Sequence, residues 1–262
     1  MLNKLLIVLF LIFDFQLVSS QNTDKIKTNE YRFGIGSVGF RNFLYIPSGL
    51  PGENYNFTYI NKKESQRKLF EFFAKANYSY LMNKEISNIN NQYYNYFDIK
   101  FGTIWSREIP APLSNFKWNV GFGESFNAFF CKTPIENLNP FGNWRFTSDL
   151  KWEMKYNLKQ ITFQTQITIP LLVFGHFDHY QNSILKYHFD DYLASYITPN
   201  TFTTINKYFD INSDISILYH FKMNKKLSLK CNYEFGRLKS NVFGNLILRQ
   251  LQMFSVGIII KK

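Results

Sequence analysis

The chain has 262 residues, 45% of them hydrophobic and 19% aromatic, with 30 Lys and Arg against 19 Asp and Glu and a formal net charge of +11. That length fits one domain, and two cysteines far apart, Cys131 and Cys231, provide no disulfide framework. The basic residues are scattered in turns or interleaved with acids, which argues against nucleic acid as a partner; the excess reads instead as attraction to anionic lipid head groups.

The N-terminus opens Met1-Leu2-Asn3-Lys4 and runs apolar from Leu5 to Val18, interrupted by Asp14 and Gln16, before Ser19-Ser20-Gln21. This apolar run is too short for a spanning helix, which needs roughly twenty residues. Small Ser20 and Val18 favour cleavage before Gln21, so residues 1–20 read as a secretory signal peptide and 21–262 as the exported domain. With mean hydropathy at -0.23, no helical span is expected after it.

From there the dominant signal has a period of two. A glycine-rich strand covers 31–45; its Gly34, Gly36 and Gly39 superficially match a nucleotide-binding fingerprint, but no helix follows, and strand curvature is the better reading. Residues 47–66 read as a long loop. Phe70, Phe72, Ala74, Ala76, Tyr78 and Tyr80 then share one face, followed by Phe97 to Trp105 and Phe116 to Phe122 with the same alternation. The longest run extends from Trp144 to Leu158, where Trp144, Phe146, Leu150, Trp152, Met154 and Tyr156 oppose Arg145, Asp149, Lys151, Glu153 and Lys155. Ile161 to Ile169, Phe209 to Phe221, Leu227 to Phe235 and Phe254 to Ile260 complete the set; Cys231 falls on an apolar face and reads as a small hydrophobe.

Strands of this length cross a hydrocarbon core at a tilt, which takes roughly nine to eleven residues. Lipid cannot satisfy an open sheet edge, so the strands must close. The expected architecture is all-β: an antiparallel up-and-down transmembrane β-barrel of about ten strands, within a range of about eight to twelve. The alternative is a soluble periplasmic β-sandwich with its aromatics in a dry centre. Since single-chain barrels have even strand counts, the pattern hides a strand. The first candidate is 183–196, where Leu185, Tyr187 and Phe189 alternate, although Leu185, Phe189, Tyr192 and Tyr196 also share a helical face; the second is Tyr55 to Ile60. Tight turns are expected at 82–85, 157–160 and 223–226, and long connections at 47–66, 131–143, 175–205 and 238–245.

In such a barrel the charged faces turn inward. The expected lumen set is Glu71, Lys75, Asp98, Lys100, Arg145, Asp149, Lys151, Glu153, Lys155, Asp210, Asp214, Lys230 and Glu234, of mixed sign and suited to a plug of ion pairs rather than a selective path. Tyr78, Tyr80, Trp105, Trp118, Trp144, Trp152, Tyr156, Tyr219 and Tyr233 form the expected aromatic girdle at head-group depth. His176 and His179, with Asp178 between them, are weak metal candidates. The same loop, 175–196, also holds Ser183 and carries the alternative of a barrel enzyme or binding protein acting on lipid or metal. No catalytic set, metal or cofactor is expected on the main reading.

These features together resemble the small outer-membrane β-barrel proteins of Gram-negative bacteria: an export signal, alternating strands, tight Asn-Lys turns, and a terminal strand Phe254-Ser255-Val256-Gly257-Ile258-Ile259-Ile260. The resemblance implies termini in the periplasm, outer-membrane lipids as surroundings, and recognition of the C-terminal strand by the barrel-assembly machinery. The chain departs from that family in ending on Lys261-Lys262 rather than an aromatic residue. The implied role is non-enzymatic: envelope structure, porin-like passage of a small solute, or support of a transport or secretion complex through an envelope protein partner.

Overall fold

Alternating residues with β-branched or aromatic side chains on one face favour extended backbone, and a computed structural model places them in eleven strands with no helix among the described residues. The structure describes residues 26–42, 46–65, 67–82, 93–111, 113–132, 141–176, 200–242 and 245–262. The signal peptide, the segment 183–196, His179 and Ser183 lie outside these. The strands are β1 (Ile26–Asn42), β2 (Ile46–Ser65), β3 (Lys68–Met82), β4 (Tyr93–Ile109), β5 (Phe116–Lys132), β6 (Phe141–Leu158), β7 (Ile161–His176), β8 (Asn200–Thr204), β9 (Tyr208–His220), β10 (Leu227–Val242) and β11 (Asn245–Lys261).

Every neighbouring pair is antiparallel, and β1 pairs with β11 from Thr28↔Lys261 to Asn42↔Ile247, which closes the sheet into a cylinder. The short β8 and the longer β9 lie along the same partner: β8 pairs with Leu172–His176 of β7, and β9 pairs with Ile161–Thr168. They are two pieces of one stave, so the wall is a closed ten-strand barrel with its eighth stave broken at Ile205–Lys207. The break faces Pro170, which has no N–H to donate to a ladder, and Leu171, left over by a register shift against β6.

The hidden strand is β2; the first candidate, 183–196, lies outside the described residues. The second candidate, Tyr55 to Ile60, lies at its centre, and residues 47–65 of the expected loop belong to a strand that pairs with β1 over 50–64 and with β3 over 52–65. Pro47, Gly49, Pro51 and Gly52 in its first third mask the alternation that follows. The connections change accordingly. β2 and β3 are joined by a tight turn, β10 and β11 are separated only by residues 243–244, and the link after Met82 runs to Tyr93. Turns after β2, β4, β6 and β9 share one end with both termini of the barrel.

Strand closure is tight near β1. A Cβ on Gly36 would collide with the Gln252 carbonyl oxygen of β11, so glycine here permits close backbone approach.

Candidate functional site

The period-two rule now has a direction. Phe33, Ile35, Phe97, Phe101, Phe122, Phe146, Ile215, Phe254, Val256 and Ile258 are exposed on the outside of the cylinder, while the charged residues between them are buried inside it. Apolar residues round an exterior and ions in the interior invert the layout of a water-soluble sandwich, and exclude that alternative.

All of the expected lumen residues face the bore. At the end carrying the termini, Lys151 Nζ donates to both oxygens of Glu71 at 2.9 and 2.8 Å, and Lys62 lies 3.1 Å from the same carboxylate. Glu153 accepts from Asn119 Nδ2 at 3.0 Å and Gln164 Nε2 at 2.8 Å and pairs with Lys155 at 2.8 Å. On the opposite wall Lys230 and Arg32 each lie 3.0 Å from Glu30, and Arg32 Nη1 reaches Asp214 at 3.5 Å. Lys75 pairs closely with Glu234 across the bore. Higher up, Asp149 accepts from Ser125 Oγ and Thr147 Oγ1, both at 2.7 Å, with Lys100 at 3.5 Å. Arg249 Nη1 donates to Asp98 at 2.7 Å and to Tyr96 Oη at 3.2 Å. Asp210 accepts from Tyr208 Oη at 3.3 Å and Asn212 Nδ2 at 3.2 Å. Arg145 is held by rings, 5.0 Å from the centroid of Tyr208 and 5.7 Å from that of Phe129. Cations and carboxylates in the bore thus match nearly one for one, which is how buried charge becomes tolerable.

Toward the loop end the interior changes character. Val38, Phe40, Leu50, Leu81, Tyr94, Phe129, Val173, Tyr208, Leu238 and Ile247 form a buried apolar cluster inside the cylinder. Among the ion pairs remains a chamber of about 90 Å³, lined in part by Lys75, Asp98, Asn127, Asp214 and Arg249. Sequence reading missed the apolar layer because the inward positions that form it lie in the few residues of each strand nearest the loop end, where alternation gives no sign of which face is inward. Glu30, Arg32, Lys62 and Arg249 also escaped it: Glu30 lies just before the glycine-rich opener and Arg32 in it, Lys62 in the stretch read as loop, and Arg249 before the terminal run.

The aromatic set divides by height. Trp105, Trp118, Tyr156 and Tyr219 stand near the terminus end of their strands and Tyr78, Tyr80 and Trp144 near the loop end, whereas Trp152 and Tyr233 sit at mid-strand. Tilted and edge-to-face pairs tie the rows together, such as Phe70 with Trp105 at 5.6 Å and Trp144 with Phe174 at 6.0 Å. Glu124 places a carboxyl on the exterior at the middle of β5, between Phe122 and Phe126, with Thr103 and Ser148 as its cross-strand neighbours. His176 is the last residue of β7. Among the described residues no group of His, Cys, Asp and Glu has the number and placement to hold a metal, and Cys131 and Cys231 are free thiols.

The outer membrane protease OmpT from Escherichia coli is similar in structure, with a TM-score of 0.51 at 7% identity over 93% of this chain and 99% of that chain. The fold is that of outer-membrane β-barrel proteins. The translocator domain of the autotransporter NalP from Neisseria meningitidis gives a TM-score of 0.42 at 7% identity over 98% of this chain and 96% of that one. Neisserial surface protein A gives 0.36 at 9% identity, covering 93% and 100%. At these identities the likeness concerns the fold alone. No family model matches the sequence, and no curated protein is similar to it.

Proposed function

We propose that this chain is a non-enzymatic barrel of the outer membrane, exported by its N-terminal segment, with its termini in the periplasm, and that it works as a closed scaffold rather than as an open pore. The observation that carries this reading is the double stopper in the bore. Ion pairs crosslink opposite walls, as between Lys151 and Glu71 and between Arg249 and Asp98, and an apolar layer spans the interior beyond them. A hydrated ion crossing it would have to break paired charges and then enter a layer of mostly apolar side chains that offers little to replace its water.

A closed cylinder leaves the connections at the loop end, 83–92, 133–140 and 177–199, as the means of meeting an envelope partner, and the scaffold role is to hold them at the membrane surface. Reconstitution into a planar bilayer tests this directly. The expected record is a flat baseline at high salt, and a stable, ohmic, porin-sized conductance from folded barrels would refute the closed reading.

A further inference from the structure

The formal excess of positive charge is not in the bore, where the ions balance. It gathers on the outside, at the end carrying the termini. On four adjacent strands, β1 to β4, Lys27, Lys63, Lys68 and Arg107 occupy exterior positions within three residues of that end, all exposed. The ladder sets Lys27 directly opposite Lys63, and Lys68 directly opposite Arg107. Like charges in facing cross-strand positions repel and weaken a sheet. Among the described residues neither Lys27, Lys63 nor Arg107 has an ion-pair partner, and the two carboxylates at this rim, Glu64 and Glu108, each lie 3.7 Å from Lys117 instead.

Directly above the cations stands an aromatic row. Phe70 packs on Trp105 at 5.6 Å, and Lys63 Nζ lies 5.9 Å over the Phe70 ring. Aromatic rings at a membrane boundary occupy the depth of the lipid glycerol and carbonyl groups. Cations one step farther from the hydrocarbon therefore lie at the depth of the phosphates.

From this we infer that the outer wall of β1 to β4 is a binding site for the phosphate head group of an anionic membrane phospholipid, with Lys27, Lys63, Lys68 and Arg107 as its cationic wall and Phe70 and Trp105 as the shelf for the upper part of the lipid. The phosphate sits between the facing cations and converts two repulsive cross-strand pairs into bridged ones. This inference rests on the membrane-spanning reading above, and adds to it one class of lipid and one sector of the wall.

The test uses the full barrel with Trp105 as its only tryptophan, the other three replaced by Phe, reconstituted into phosphatidylcholine vesicles containing an equal fraction of phosphatidylglycerol, with either one or the other lipid brominated. Folding and insertion are checked first, by heat-modifiable migration on a gel and by protection from protease. Expected is quenching of Trp105 by brominated phosphatidylglycerol at least about twofold stronger than by brominated phosphatidylcholine, falling to parity in the variant carrying K27Q, K63Q, K68Q and R107Q. A second variant, K222Q with K225Q and K226Q, removes charge from the exposed β9–β10 turn and keeps the preference. Equal quenching by the two lipids in the parent overturns the inference, as does an equal loss in the turn variant, which would reduce the site to net charge. Should the parent fail to insert into any vesicle, the spanning reading falls first; insertion without lipid preference sinks this site alone.

Discussion

Arg249 on β11 and Asp98 on β4 meet at 2.7 Å across the bore, joining walls that no backbone ladder connects. Asp98 also accepts from Asn127 Nδ2 at 2.7 Å, so the carboxylate is held from two sides. The pair acts as a strut, and removing one end leaves the other charge buried without its counter-ion. Arg249→Met should therefore destabilise the barrel by about 3–5 kcal/mol, whereas Arg249→Met combined with Asp98→Leu should recover most of that loss. Urea unfolding in lipid vesicles, followed by tryptophan fluorescence, gives both numbers; a double variant as weak as the single one would deny the strut.

Glu124 presents the opposite case, a carboxyl on the lipid-facing wall with phenylalanines above and below it in the strand. Hydrocarbon offers it no solvation, and acidic residues at mid-membrane cost something, though less than the about 2–4 kcal/mol of a lysine or arginine. Glu124→Leu should raise stability by about 1 kcal/mol. The same unfolding experiment reads it, and a loss of stability would mean that the carboxyl is engaged with a group on its outer side.

The apolar layer at the loop end predicts a different response. Phe129 and Leu238 are almost wholly buried in it, and truncating either to alanine should cost about 2–5 kcal/mol by opening a cavity. Single truncations should not make the barrel conduct, because the ion-paired layer persists beneath. Conductance from Phe129→Ala alone would show that the apolar layer is the only seal.

Much of the architecture could be read from residue order because membrane strands obey a strict alternation. Lys151 and Glu153 are inward because Trp152 and Met154 have to be outward. What failed were places where the alternation is interrupted for reasons of backbone or position. β2 begins with two prolines and two glycines, and nothing local distinguishes such a start from a loop; only its pairing with β1 and β3 makes it a strand. The inward ring of Phe40, Tyr94, Phe129 and Tyr208 was illegible because an apolar residue near a strand end is equally at home on either face until the opposite wall is known. Partners across the bore, such as Lys75 with Glu234, are separated by most of the chain, and no spacing rule connects them.

The broken eighth stave has its own consequence. Between the rungs Thr168↔Asn212 and Leu172↔Thr204, the β7 side offers Pro170 and a displaced Leu171, and the backbone from Tyr208 to Ile211 is laddered only to β10. Over most of the wall, strands are laddered on both flanks; along this short interval the cylinder has a perforation line. Deuterium uptake should start there, and a barrel pulled open should tear from it.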